Sequence, residues 1–258
     1  MAKYYDTKLH LNIHDIQEKH FWFTARSEMI TSFVKKYMPI RTVPYLEVGF
    51  GTGILLPVFE TMGFIVHGVD INDAALRLAR TVSRATLIRS SFVSYRPSKR
   101  FSAIGTFDVL EHIPNHTAFL KHARTLLAPE GKLFLTVPAC PMLYGKVDIE
   151  SGHLRRYDKK SLTLLLEQCG FTVVSLRYWN TLLFPVYWVW KWVSEHGRKT
   201  SIEPFLRLPP APLNQFLLWI LRFDSLLMEH IPFPFGVTLV ACAVPNALYN
   251  TGYEKERR

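Results

Sequence analysis

The sequence predicts an α/β domain: a seven-stranded, mostly parallel sheet with an antiparallel last strand, a helical N-terminal lid over residues 1–44, and a helical insertion between strands six and seven. Three observations carry that prediction. From residue 45 onward, short apolar runs alternate with amphipathic stretches, the rhythm of βαβ units. The run "YLEVGFGTGILLP" (45–57) sets three glycines at alternate positions between a strand and a helix. The next strand, "FIVHGVD", ends in an acid, Asp70.

Ahead of the sheet, residues 11–38 read as helical, with "HFWFTARSEMI" placing Trp22 near Arg26. Strand one is "YLEVGF", followed by a helix over 54–62; strand two is followed by a helix over 73–82; strand three is "ATLIRS". Strand four is "FSAIGTF", after which "DVLEHI" leads into a helix over 115–127 that the proline and glycine of "APEG" close. Strand five is "KLFLTVP". A helix over 159–168 stops at Gly170, "FTVVSLRYW" is strand six, and "GVTLVACAVP" (236–245) is strand seven. The core is therefore expected at 45–180 and 236–248.

A tight hairpin would be the economical link between strands six and seven, yet about fifty-five residues lie there, and loops that long carry structure of their own. "TLLFPVYWVWKWV" (181–193) and "LNQFLLWILRFDSLLMEHI" (213–231) read as two helices of a cap over residues 181–235. Pro185, Lys191, Arg222 and Asp224 interrupt them, so neither is a membrane span.

With 48% apolar and 20% charged residues the balance is globular, and aromatic residues reach 14%. Lys and Arg outnumber Asp and Glu by 31 to 21, a net charge of +10, which favours anionic partners, an anionic membrane surface included. The charge lies in small scattered groups such as "RPSKR", "HGRK" and the tail "EKERR", with no polybasic arm of the kind nucleic-acid binding uses. Cys140, Cys169 and Cys242 are singletons, so neither zinc nor disulfides are indicated. The first twenty residues lack the apolar run of a secretion signal, and a cytoplasmic location is expected, with peripheral contact to membrane open.

The glycine spacing decides the cofactor class. A dinucleotide pyrophosphate wants GxGxxG; here Gly49, Gly51 and Gly53 give GxGxG, and Ile54 stands where the third glycine would be. Glu47, beside the loop, repels a phosphate and welcomes an amino group. Asp70 stands where α/β nucleotide folds use a carboxylate to accept bonds from both ribose hydroxyls. Ile71 would pack on an adenine face or belong to the core at a strand end.

With "LEVGFGTG", "GVD", "FDVLEHIPN", "LLAPEGKLFLTVPA" and "GHLRRYD" in place, the chain resembles the class I S-adenosylmethionine-dependent methyltransferases, whose fold is Rossmann-like, and in particular their UbiG-like group. The resemblance covers most of the chain. It implies S-adenosyl-L-methionine as cofactor, with Gly49, Gly51 and Gly53 against its methionine part, Glu47 near its amino group and Asp70 on its ribose. At strand three the family places Asp for the adenine amino group, whereas this chain offers Ser91, with Phe92 beside it.

Methyl transfer from a sulfonium is an in-line displacement, so the protein mainly orients its reactants and excludes water. An oxygen acceptor must lose its proton. The imidazoles expected beyond the ends of strands four and five, where ligands sit in such sheets, are His112 and His153. For "DVLEH" two readings stand: Asp108, Glu111 and His112 hold a divalent ion, as a related cluster does in UbiG-like enzymes, or Asp108 caps the helix while Glu111 and His112 face the cofactor. We take the second, without metal. Arg155, Arg156 and Tyr157, together with Trp22 and Arg26, are the candidates for contact with the acceptor, which the aromatic insertion marks as small and hydrophobic or lipid-linked. A nucleic-acid methyltransferase is disfavoured, because strand four lacks the (Asn/Asp)-Pro-Pro-aromatic turn. A non-catalytic binder of the cofactor remains the other alternative.

Overall fold

A computed structural model of the chain describes residues 16–39, 42–196 and 207–246. The expectations for residues 11–15 and 247–248, and the groups "HGRK" past His196 and "EKERR", fall outside those residues. The sheet has seven strands in the order β3-β2-β1-β4-β5-β7-β6: β1 (Pro44–Val48), β2 (Ile65–Asp70), β3 (Thr86–Arg89), β4 (Phe101–Phe107), β5 (Leu127–Pro138), β6 (Phe171–Trp179) and β7 (Thr238–Pro245). β1 to β5 pair in parallel, and β7 runs antiparallel between β5 and β6. All seven expected strands are present. Central strands are apolar on both faces, as a sheet covered by helices on both sides requires.

One face is covered by α1 (Phe21–Tyr37), α2 (Leu56–Thr61), α3 (Asp73–Val82) and α8 (Ala211–His230), which bury Phe33, Phe59, Ala79 and Leu221 against Tyr45 and Phe134. The other carries α4 (His116–Leu126) and α6 (Lys159–Gln168), whose Phe119, Leu120, Leu162 and Leu166 meet Ile104, Leu135 and Phe171. Two short helices complete the chain: α5 (Lys146–Glu150) after β5, and α7 (Phe184–His196) after β6. Among the described residues no helix is long and apolar enough to cross a membrane.

The structure corrects both ends of α4. Helix α4 ends at Leu126, and "APEG" is no simple stop: Leu127 already pairs with Phe101, Lys132 pairs with Ala103, and the residues between bulge out of the ladder. Asn115, not Asp108, caps α4, its side chain accepting from the Ala118 N–H. The two insertion helices have different settings. α8 belongs to the helical layer, packed on α1 and β6, and Asp224, which in the sequence interrupts an apolar run, accepts the backbone N–H groups of Asn180, Thr181 and Leu182. α7 leans on α5.

Helix α1 is likewise a layer element rather than a loose lid, since Met29, Ile30 and Val34 are buried in the core. Its start is fastened twice: Asn214 of α8 accepts from the Phe21 N–H and donates to Lys19 O, and Thr52 of the glycine loop donates to Gln17.

Candidate active site

The three glycines all adopt positive φ, +71° at Gly49, +55° at Gly51 and +81° at Gly53, so the chain turns sharply out of β1. They differ in what surrounds them. A Cβ on Gly53 would lie 2.7 Å from Ala79 Cβ, so this glycine lets α3 approach the loop. A Cβ on Gly51 would meet nothing within 4 Å; the loop faces open space there. Asp70 borders that space, its two oxygens accepting from Gly51 N (3.1 Å) and Asn72 N (2.8 Å).

Glu47 lies at the C-terminal end of β1, buried, with Oε2 lacking any hydrogen-bond partner. Burial pushes its carboxyl up to about 8, Arg26 opposing and Asp70 adding to the rise. A buried carboxyl without a partner beside an open glycine loop suits a small ligand bearing an ammonium group. Ile71 and Ser91 are exposed next to Asp70 and after β3. Phe92 does not flank the cofactor space: it is buried against Phe119 and His122 in the core. It reads as a site residue only by its place in the sequence; its ring fills the gap beneath α4.

Beyond β4 and β5 lies a second cluster. Glu111, His112 and His153 each place a donor atom within 4.8 Å of the others. The 3-10 turn Leu110–His112 presents the first two, and the loop after α5 brings His153, tied to that turn by Leu154 N donating to Glu111 O. His112 Nδ1 donates to the Gly152 carbonyl, because a carbonyl can only accept, and burial with His153 beside it pushes His112 down to about 4. It is therefore neutral near pH 7. Glu111 is fully buried with neither oxygen hydrogen-bonded, and burial, reinforced by Asp108, pushes it well above the usual carboxylate range.

His153 is held by Asp148, whose Oδ1 lies 3.0 Å from Nδ1. That fixes the Nδ1–H tautomer and leaves Nε2, 4.0 Å from Glu111 Oε1, with its lone pair on the cluster side. Asp148 is the hub of the region: it accepts from Arg156 Nε (2.7 Å) and from Lys191 Nζ of α7 (2.6 Å). Although burial works against ionisation, His153, Arg156 and Lys191 hold Asp148 well below the usual carboxylate range.

Several residues expected to meet the acceptor are occupied in this framework. Arg156 is buried and also binds Ala139 O and Tyr187 Oη; Arg155 donates to the carbonyls of Ile113 and Pro114; Tyr157 is a core residue paired with His116. Arg26 donates from Nε and Nη2 to Asp108 Oδ2, each at 2.6 Å, with its guanidinium 5.6 Å from the Trp22 ring. Asp108 also accepts from Thr136, so the first acid of "DVLEH" is engaged by helix α1 and stands outside the Glu111–His112–His153 cluster. Of the predicted residues, Glu47, the glycines and Asp70 come together on the cofactor side, and His112 and His153 on the other.

Asp148, Lys191, Tyr187, Thr136 and Gln17 were not singled out by sequence. Only Lys191 left a trace there, as the single charge in "TLLFPVYWVWKWV".

An open glycine loop after β1, an acid closing β2 and an unpartnered buried carboxyl define a class I nucleoside-cofactor site with room for an ammonium. The model of a family described as a methyltransferase domain matches residues 15–176, more than half of the chain, and the chain belongs to that family. It is UbiG-like: it is 34% identical over 101 residues to the ubiquinone biosynthesis O-methyltransferase of Paramagnetospirillum magneticum, covering 36% of this chain and 39% of that one. A Xanthomonas axonopodis protein of the same name is 29% identical over 119 residues, 43% of this chain and 50% of that one. The matches thus span about two fifths to half the length of these curated relatives.

Among solved structures, the glycopeptide N-methyltransferase MtfA with S-adenosyl-L-methionine superposes with a TM-score of 0.55 at 13% identity, over 85% of this chain and 93% of that one. Phosphoethanolamine N-methyltransferase 2 of Haemonchus contortus, also with that cofactor, gives 0.57 at 16%, over 85% and 52%. At such identities the likeness is one of fold. The cofactor of the family, S-adenosyl-L-methionine, fits the residues present: Gly51 faces open space, and Glu47 offers a free carboxyl oxygen to an ammonium.

Proposed function

We propose that the chain moves a methyl group from S-adenosyl-L-methionine to an oxygen of a small, hydrophobic or lipid-linked acceptor, with His153 as general base. The cofactor, when bound, supplies a methyl group on a positively charged sulfur. Glu47 would face its amino group, Asp70 its ribose hydroxyls, and Gly51 would admit it without a side chain in the way.

The observation that carries the assignment of the base is the bond from His153 Nδ1 to Asp148, which orients the imidazole and leaves Nε2 to take a proton from a hydroxyl. His112, held neutral near pH 7 by burial, and Glu111, whose carboxyl burial pushes well above the usual carboxylate range, stand beside it, which suits an apolar acceptor. The names of the O-methyltransferase relatives support oxygen and a lipid-like acceptor. Such an acceptor would be met at a lipid surface, which supports a cytoplasmic protein with peripheral membrane contact.

The proximity of Glu111, His112 and His153 favours a second reading, in which a divalent ion held by these three lowers the acceptor's pKa. The test is transfer of labelled methyl to a panel of phenols and quinols with isoprenoid tails, with and without chelator. Alkali-stable labelled ether is the expected product, formed equally in chelator. Loss of turnover restored by a divalent salt would move the role to the metal, and label in nucleic acid alone would overturn the acceptor class.

A further inference from the structure

Helix α7 is built inside out. Its inner side carries Lys191, 2% exposed and ion-paired with Asp148 and Glu195, and Tyr187, hydrogen-bonded to Arg156. Its outer side presents Val186, Val189 and Val193 with Trp188 and Trp192, the two indoles 50% and 57% exposed. Helices at a protein–water boundary place their apolar stripe toward the core and their charges toward water; here the arrangement is reversed.

Helix α8 also presents apolar residues outward, over a greater length. Its inner side packs Leu218, Leu221 and Met228 in the core, yet Leu213, Phe216, Trp219, Phe223 and Leu226, at three- and four-residue spacing, form a second apolar stripe facing outward, with Trp219 62% exposed. An exposed apolar stripe of this length marks an interaction site.

We propose that the outer faces of α7 and α8 dock the protein on an anionic lipid bilayer, lying in its interface. Three observations select that occupant. Neither helix can span: α7 has 13 residues, about 20 Å, and α8 carries Arg222, Asp224 and Glu229 along its length. Indole and aliphatic side chains together, on helices too short or too charged to insert, are the composition of an interfacial element. The charge is complementary, since the net charge is +10, and by sequence the segment joining the two helices holds Arg198, Lys199 and Arg207 against Glu203 alone.

The consequence for the site follows from the inner side of α7. Lys191 and Tyr187 grip Asp148 and Arg156, and Asp148 holds His153. A bilayer on the outer side of α7 therefore lies one helix away from the proposed base, and an acceptor dissolved in that bilayer has a short way to travel. The surface itself does not depend on the methyl acceptor being a lipid.

The test is sedimentation of the full chain with phosphatidylglycerol–phosphatidylcholine vesicles and with pure phosphatidylcholine vesicles, alongside Trp188→Gln/Trp192→Gln and Phe216→Ser/Trp219→Gln. Affinity for S-adenosyl-L-methionine and the circular dichroism spectrum report that the variants fold. Wild type is expected to bind the anionic vesicles with a blue shift of tryptophan emission, and each double variant to bind about tenfold or more weakly with unchanged cofactor affinity. Absence of vesicle binding, equal binding to neutral vesicles, or binding unaltered in folded variants would overturn the proposal. So would a wild-type dimer that the variants turn into monomers without any vesicle binding, which would assign the face to a second copy of the chain.

Discussion

The glycine-loop side of the candidate site and its histidine side are built on opposite principles. Around β1 and β2 the work is done by backbone: three positive-φ glycines, two N–H groups on Asp70 and an open space where Gly51 lacks a side chain. Beyond β4 and β5 it is done by side chains arriving from far apart in the sequence, with Asp148 of α5 holding His153, Arg156 and Lys191 of α7. The first arrangement tolerates few substitutions at a handful of positions. The second is a buried charge network, in which loss of the central Asp148 strands its partners.

That contrast can be broken most forcefully at Asp148. Asp148→Ala would leave Arg156 and Lys191 buried without the carboxylate they share, and thermal or denaturant unfolding is expected to show about 3–5 kcal/mol of lost stability. Lys191→Met, which leaves Asp148 with Arg156 and His153, is expected to cost less. An Asp148→Ala protein as stable as wild type would mean that the network is not the framework of this side.

On the cofactor side, Gly51→Ala and Gly53→Ala separate binding from folding. The first puts a methyl group into open space at a φ of +55°, costing about 1–2 kcal/mol of stability but weakening S-adenosyl-L-methionine about a hundredfold in calorimetry. The second drives a Cβ to 2.9 Å from Ala79 Cα and is expected to damage the fold itself. Equal cofactor affinity in Gly51→Ala would place the cofactor elsewhere.

Glu47 sharpens the comparison through pH. Its carboxyl is raised from 4.5 to about 8, so the folded apoprotein keeps a proton that the unfolded chain has lost. This contribution to stability is full below 4.5 and disappears as pH rises through 8. A cationic amino group favours the carboxylate, so cofactor binding near neutrality should expel the proton, and affinity should rise with pH by up to about tenfold per unit below 8. Binding enthalpies in buffers of different ionisation heat measure that proton, and Glu47→Gln should abolish the dependence. His112 acts in the opposite sense: lowered from 6.5 to about 4, it contributes stability above 6.5 that is lost as pH falls through 4.

The smallest effect belongs to the pair Arg222–Glu28, which joins α8 to α1 with both side chains about half exposed. Arg222→Ala should change stability by less than about 1 kcal/mol, less still in high salt, because solvent screens it.

The same contrast explains what the sequence made legible. A backbone-built turn has its spacing written in consecutive residues, so the meeting of Gly49, Gly51, Gly53, Glu47 and Asp70 on one side could be read directly. Arg155, Arg156 and Tyr157 have the same composition as an acceptor site, but their partners, Ile113, Asp148 and His116, are brought to them only by folding. Arg26 was read as facing the acceptor because nothing in "HFWFTARSEMI" reveals that Asp108, eighty-two positions away, closes on it. Phe92 follows the same logic in the core. The strands were legible because each is a short apolar run; the bulge at "APEG" was not, since proline and glycine signal a break without saying that Leu127 has already paired.

The claim that joins the two sides is that His153, oriented by Asp148, removes the acceptor's proton while the glycine loop holds the cofactor independently. The most direct measurement is the single-turnover rate of methyl transfer by His153→Asn at saturating S-adenosyl-L-methionine, over a range of pH, beside its cofactor affinity. The expected result is a rate reduced by about 10²–10⁴ at each pH with the affinity unchanged. A rate within about threefold of wild type, or cofactor affinity falling in parallel with the rate, would contradict it.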